Sequence, residues 1–270
     1  MLDNQFIENI NDNLINNNLI KACKDNDINS IKLLLSNGAN IHYKNKIYYK
    51  LCGKSPIMIA SYNGNMEMFK LLLSYGANIN DQDDNGINSL ILATQIGYIK
   101  MIELLLLNGA NVNHKDGNGY SPLIYAAINS HFKIVKLLLL NGANVNDKTN
   151  DGYNALIDAT VKFDFEIVEL LLLNGANIHN TNNGESVIIY ASKCGDIEFV
   201  KLLLSYGANI YDTNCLGSNC IDVAYKYGNI EIFNFFKKLN TIMLIIILQE
   251  LYVYNSLDLS SFIDFYEYFC

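Results

Sequence analysis

The sequence predicts an all-α solenoid, about seven helix–loop–helix units joined by hairpin-like turns and stacked in a row. Three observations carry that expectation. The tripeptide Gly-Ala-Asn recurs with its glycine at Gly38, Gly76, Gly109, Gly142, Gly175 and Gly207, at successive spacings of 38, 33, 33, 33 and 32 residues. A leucine run precedes each copy, as at Leu104–Leu107 and Leu137–Leu140. Alanines at Ala60, Ala93, Ala126, Ala159, Ala191 and Ala224 hold the same register, at points where two helices must approach closely.

Each element of the unit follows from its residues. Ser121 suits the N-cap of a first helix, and Pro122 suits the first turn, where no amide donor is needed. Ser55-Pro56 repeats the device. A second helix opens after Asn65, Asp164, Asp196 or Asn229, all good N-caps. Glu67, Glu166, Glu198 and Glu231 then fall in its first turn, where they favour the helix dipole. The leucine run is its buried face. The glycine that follows fits a left-handed residue that stops the helix. A polar segment such as Asp83-Asp84-Asn85-Gly86 turns the chain into the next unit. Helices this short are marginal alone, so the units must stack to share one core.

This unit resembles the ankyrin repeat. The family's G-x-T-P-L-H-x-A core is matched by Gly119-Tyr120-Ser121-Pro122-Leu123-Ile124-Tyr125-Ala126, and its G-A-D-V-N ending by Gly142-Ala143-Asn144-Val145-Asn146. The resemblance covers residues 16–240, with units near 16–46, 52–82, 85–114, 118–147, 151–180, 183–212 and 216–240. The family's histidine is missing throughout. Met58, Ile91, Ile124, Ile157, Ile189 and Asp222 stand in its place, so apolar packing is expected to replace its hydrogen bonds. The first unit lacks the Ser/Thr-Pro opening, as a capping repeat does. Tyr43–Lys54 reads as an enlarged loop, and residues 241–270 as a non-repeat tail that caps the array.

Composition narrows the chemistry. Of 270 residues, 50% are hydrophobic and 17% charged, enough apolar matter for an ordered chain. The net charge of −8, with no arginine, disfavours nucleic acid as a partner. The apolar run Ile242–Leu248 is too short to cross a bilayer, which needs about 20 residues. Met1–Ile10 has no apolar signal core, and six cysteines without a C-x-x-C pair fit a reducing, intracellular compartment. The composition also resembles that of ankyrin proteins from giant amoeba-infecting DNA viruses, which would place the chain in the host cytoplasm.

No cofactor, metal or catalytic constellation is expected, and the chain does not read as an enzyme. His42 and His179 fill equivalent positions four units apart and cannot share a metal, and His114 and His131 read as turn or surface residues. Cys215 and Cys220 have no third ligand at suitable spacing. Gly117-Asn118-Gly119 reads as a turn, not a phosphate loop.

The resemblance implies a protein-binding scaffold or adaptor, expected to be monomeric. In the family, hairpin tips and first helices line one concave side. Mapped onto this chain, the hairpin positions are Asp84, Asn85, Ile87, Asn118, Tyr120, Asp151, Tyr153 and Glu185. The first-helix positions are Gln95, Ile96, Ile128, Asn129, Val161 and Lys162. Ile87, Tyr120 and Tyr153 share one repeat position and are expected to form an exposed row. Asp84 and Asp151 would rim it, so a protein with basic groups is the expected partner. The alternative is a substrate receptor that links a bound target to a ubiquitin ligase through the tail. That tail has no proline, which counts against an F-box-like opening. Asn80, Asn113 and Asn146 occupy the position that asparagine hydroxylases can modify in this family, and a turn-stabilising role is the competing reading.

Overall fold

Short helices dominate because each repeat divides its residues between two helices, a left-handed turn and a polar finger. The computed structural model describes residues 4–45, 53–182 and 184–255, and the chain forms two compact units, residues 1–182 and 183–270. The first unit contains α1 (Asn4–Asp25), α2 (Ile28–Ser36), α3 (Pro56–Asn63), α4 (Met66–Ser74), α5 (Ser89–Ile96), α6 (Ile99–Leu107), α7 (Pro122–Ile128), α8 (Phe132–Leu140), α9 (Ala155–Val161) and α10 (Phe165–Leu173). First helices pack on first helices, α3 on α5, α5 on α7 and α7 on α9. Second helices pack likewise, α6 on α8 and α8 on α10. The second unit contains α11 (Val187–Cys194), α12 (Ile197–Ser205), α13 (Cys220–Lys226) and α14 (Ile230–Asn255), with α11 packed on α12 and α13, and α13 on α14.

The recurring alanines are the points of closest approach. Ala60, Ala93, Ala126, Ala159, Ala191 and Ala224 are all fully buried. The apolar substitutes for the family histidine, Met58, Ile91, Ile124, Ile157 and Ile189, are fully buried as well. Asp222 differs. It is exposed, and its carboxylate accepts from the Asn219 amide at 3.0 Å in a capping box.

Four of the expected caps form, while the Asn229 side chain instead donates to Ser192 O and Lys193 O at 2.8 and 3.1 Å. Ser121 accepts from the Ile124 amide at 3.4 Å. Asn65 and Asp164 accept from Met68 and Ile167 at 2.9 and 3.2 Å, and Asp196 from Glu198 and Phe199 at 2.9 and 3.2 Å. Ser55 sits at the N-cap of α3, but its hydroxyl makes no cap bond, so Pro56 alone shapes that start. Asn88 and Asn154 cap α5 and α9 without a following proline, at 2.9 and 2.8 Å.

Two turns in each repeat need a left-handed residue. After the second helix the chain uses glycine, as at Gly109 and Gly142 with φ of 86° and 83°. Between the helices, most repeats again use glycine, but Asn26, Ser130 and Phe163 take the position with φ of 57°, 54° and 59°. For phenylalanine that conformation is strained, because Cβ crowds the following carbonyl. Phe163 is also 58% exposed, so little burial offsets the strain.

Adjacent repeats are joined by asparagine. The Asn113 side chain donates to Gly142 O at 3.1 Å and accepts from the Asn144 amide at 2.8 Å. Asn146 repeats this on Gly175 O and the Asn177 amide at 3.1 and 2.8 Å. Asn80 does so on Gly109 O and the Asn111 amide at 3.5 and 3.0 Å. Each therefore satisfies a carbonyl freed by the end of the next helix.

Two sequence features extend differently from their reading. The helix α14 runs 26 residues and passes straight through Thr241, because no Gly or Pro interrupts it. Ile232 and Phe236 are fully buried, whereas Ile242, Met243, Ile245 and Ile246 remain exposed. The rest of the tail, 256–270, lies outside the described residues, as do residues 46–52 of the enlarged loop with Tyr48-Tyr49. The ends of that loop are tied, with the Asn45 amide donating to Lys54 O at 3.0 Å and Asn45 O accepting from the Gly53 amide at 2.7 Å.

These turns make opposite predictions. A Cβ at Gly142 would meet nothing within 4 Å, so any penalty there is backbone strain and not a clash. Gly142→Val is expected to cost more than about 1 kcal/mol, and Phe163→Gly to stabilise by about 0.5–1 kcal/mol. Urea melts of both variants check this. Unchanged midpoints would remove strain as a determinant of the repeat.

Candidate partner-binding face

The fingers are built by a carboxylate at their base. Asp83 Oδ1 accepts from the amides of Asn85 and Ile87, both at 3.0 Å. Asp116 Oδ1 does the same for Asn118 and Tyr120 at 3.0 and 2.9 Å. In the next finger, Thr149 replaces the carboxylate and accepts from the Tyr153 amide at 3.1 Å. Fingers also bond to one another. The Gly117 amide donates to Asn85 O at 2.8 Å, and the Asn150 amide to Asn118 O at 2.9 Å. The row of finger residues is thus held by backbone and does not rest on loose loops.

This framework sets the postulated face. Asp84, Asn85, Asn118 and Asp151 are exposed at the finger tips. Ile87, Tyr120 and Tyr153, expected to be an exposed row, are each half-buried. Tyr120 owes this to its ring, which lies 5.2 Å from that of Tyr125. Of the first-helix positions, Ile96, Asn129, Val161 and Lys162 are exposed and Gln95 and Ile128 half-buried. They lie at the C-terminal ends of α5, α7 and α9, where the Asn129 amide group donates back to Tyr125 O at 2.8 Å. Glu185 belongs to the second unit, where Lys193 Nζ neutralises it at 2.6 Å.

The structure adds residues that were not singled out. Tyr125 on α7 donates its hydroxyl to Asp116 Oδ2 at 2.6 Å and also hydrogen-bonds the Gln95 side chain. Burial and that acidic partner hold the phenol well above its ordinary pKa. Tyr120 is raised too, by burial first and then by the fields of Asp158, Asp151 and Asp116. Asp158 on α9 is the main addition. Its Oδ2 is buried without a hydrogen-bond partner among the described residues. Burial pushes its carboxyl up to about 7, and nearby Lys162 pulls it only partly back. A repeat alignment contains the signal for it, because Asp158 stands in the column of Ile59, Leu92, Tyr125 and Tyr190. It is the one carboxylate among apolar and aromatic residues.

Two neighbouring carboxylates have a lysine beside them, although Asp147 Oδ2, like Asp158 Oδ2, is buried without a hydrogen bond among the described residues. Asp83 faces Lys54 at 3.5 Å, and Asp147 pairs with Lys115 at 3.0 Å. Among the described residues, no three His, Cys, Asp or Glu side chains gather as a metal would require. No helix among them is long and apolar enough to cross a membrane.

Comparison with known proteins agrees with the repeat. A family model described as ankyrin repeats matches the chain three times, over residues 19–116, 102–182 and 160–242. A putative ankyrin repeat protein from Rickettsia felis is 36% identical over 83 residues, which is 31% of this chain and 26% of that protein. The chain therefore spans about a quarter of that relative's length.

Asp158 yields a pH test. Its folded pKa of about 7 lies above the ordinary 3.8, so the folded state binds the extra proton between those values. Its contribution to stability is full below pH 3.8 and is lost as pH rises through 7. Asp158→Asn is expected to flatten that part of the profile and raise the thermal midpoint at alkaline pH. Superimposable wild-type and variant midpoints across this range would show that the carboxyl is not strained by burial.

Proposed function

The chain belongs to the ankyrin-repeat family, and we propose that it is a binding scaffold whose finger face in residues 53–182 holds a protein with basic groups. Proteins built of such repeats are generally interaction scaffolds and typically not enzymes. The observation that carries the finer reading is the grouping of Tyr120 and Tyr153 with Asp151 and the half-buried Asp158, whose Oδ2 has no hydrogen-bond partner among the described residues. A lysine or arginine side chain laid between those rings would meet the negative face of each phenol and the carboxylates together. Lys162 is the one cation acting on Asp158, and it is exposed, so it can swing out to solvent. Asp84 and Asn85 extend the same polar rim on the neighbouring finger. Residues 241–255 complete α14 and, in this reading, cap the second unit.

The test is direct. Partners captured from cell lysate on the intact chain are identified by mass spectrometry, and the leading one is purified. Replacing Tyr120 and Tyr153 together by Ala is expected to weaken its binding more than tenfold, with the thermal midpoint little changed. Equal binding by a folded double variant would clear this face and move attention to the Tyr43–Lys54 loop.

A further inference from the structure

The exposed side of the second helices carries a pattern that nothing within the chain uses. Lys133 and Lys136 stand on the outer face of α8, one turn apart, and Glu166 and Glu169 occupy the same two positions on α10. All four are exposed, and none makes an ion pair among the described residues. Local stability does not account for Lys133. It sits in the first turn of α8, against the helix dipole, where Glu67, Glu166 and Glu198 serve other repeats. On α6 the equivalent Lys100 is compensated by Glu103 at 3.0 Å, but α8 has a second lysine there.

The leucines add a second, independent observation. Ser36, Ser74 and Ser205 close their helices by donating to the carbonyl three residues back, at 2.8, 2.7 and 2.7 Å. Leu107, Leu140 and Leu173 take that position instead and are 83%, 76% and 67% exposed. They bury little in the chain, and the carbonyl that serine serves elsewhere is taken instead by the next residue, Asn108, Asn141 or Asn174, at 2.7, 2.8 and 2.7 Å. Stacked at the repeat spacing, they form an apolar edge of the kind that marks contact surfaces.

We propose that α8 and α10 form a two-fold interface with a second copy of this chain. These helices are repeat equivalents, so they lie side by side and point the same way. A two-fold axis parallel to them, passing between them in the plane of contact, sets α8 of one copy on α10 of the other. Residues 33 positions apart then come opposite. Lys133 meets Glu166 of the second copy, Lys136 meets Glu169, and Leu140 meets Leu173. The operation is isologous, so every contact occurs twice. Charge complementarity selects this occupant. The sign inversion holds at both heights of the two helices, and the apolar ends coincide. The neighbouring pair α4 and α6 also alternates in sign, but α6 neutralises itself at 3.0 Å and Ser74 would face Leu107. This surface is separate from the finger face, so the outcome here is independent of the proposed function. It replaces the monomer expected from sequence with a weak, salt-sensitive dimer.

Sedimentation velocity of the full chain, over roughly 10 µM to 1 mM at low salt, tests it. Wild type is expected to shift toward dimer with concentration. Lys133→Glu with Lys136→Glu makes both helices negative, and Glu166→Lys with Glu169→Lys makes both positive. Each double variant is expected to stay monomeric and cooperatively folded, its thermal midpoint moved slightly up for the Glu pair and slightly down for the Lys pair by the first-turn charge on the helix dipole. An equimolar mixture of the two is expected to dimerise again, and so is the chain carrying all four changes. A wild type that remains monomeric throughout, a double variant that dimerises like wild type, or a mixture that fails to associate would each overturn the proposal.

Discussion

The close approach of paired helices at a fully buried alanine is the contact on which the rest of the structure depends. A helix of seven to nine residues, such as α7 or α8, makes too few internal hydrogen bonds to offset its nucleation. It persists because its neighbours cover it on three sides. Ala126 lets α7 lie close to adjacent helices, and Ile124 beside it fills the space that a polar histidine takes in other members of the family. Replacing a hydrogen-bonding group by a fully buried isoleucine trades directional bonds for dispersion and area. Directional bonds between neighbours come instead from Asn80, Asn113 and Asn146, which bridge three successive repeat junctions of the first unit.

That bridging is the structural role of Asn80, Asn113 and Asn146. Each side chain spends its amide group on a glycine carbonyl and its oxygen on a backbone amide of the following repeat. The finger carboxylates do comparable work at the other end of the unit. Together they leave the stack with two kinds of surface. The fingers and first-helix ends present half-buried tyrosines among carboxylates. The second helices present exposed charge and leucine on a rigid support. Rigid support matters for recognition, since little entropy is lost when a partner arrives.

Local strain is concentrated around the same repeat. Phe163 holds a left-handed turn that glycine fills in most repeats, and Asp158, five residues before it, buries its Oδ2 without a hydrogen bond among the described residues. Both departures belong to one first helix and its turn. A chain that kept only what stability requires would carry glycine and an apolar residue there, as the α5 repeat does with Gly97 and Leu92.

The repeat register, the helix pairs, the caps and the left-handed glycines were legible from sequence, because each depends on backbone sterics and hydrogen bonds within a few residues. So was the burial of Met58, Ile91, Ile124, Ile157 and Ile189, since a strict period places them on one face. Other features were set only by how separate elements pack together. The half-burial of Tyr120 comes with the ring of Tyr125 on α7, which packs beside it. Asp158 reads as an ordinary polar residue until neighbouring helices remove its water. The neutralised Glu185 likewise depends on geometry across elements. Local sterics determine where each unit starts and stops. Desolvation and pairing are collective, and they exist only once the units are stacked.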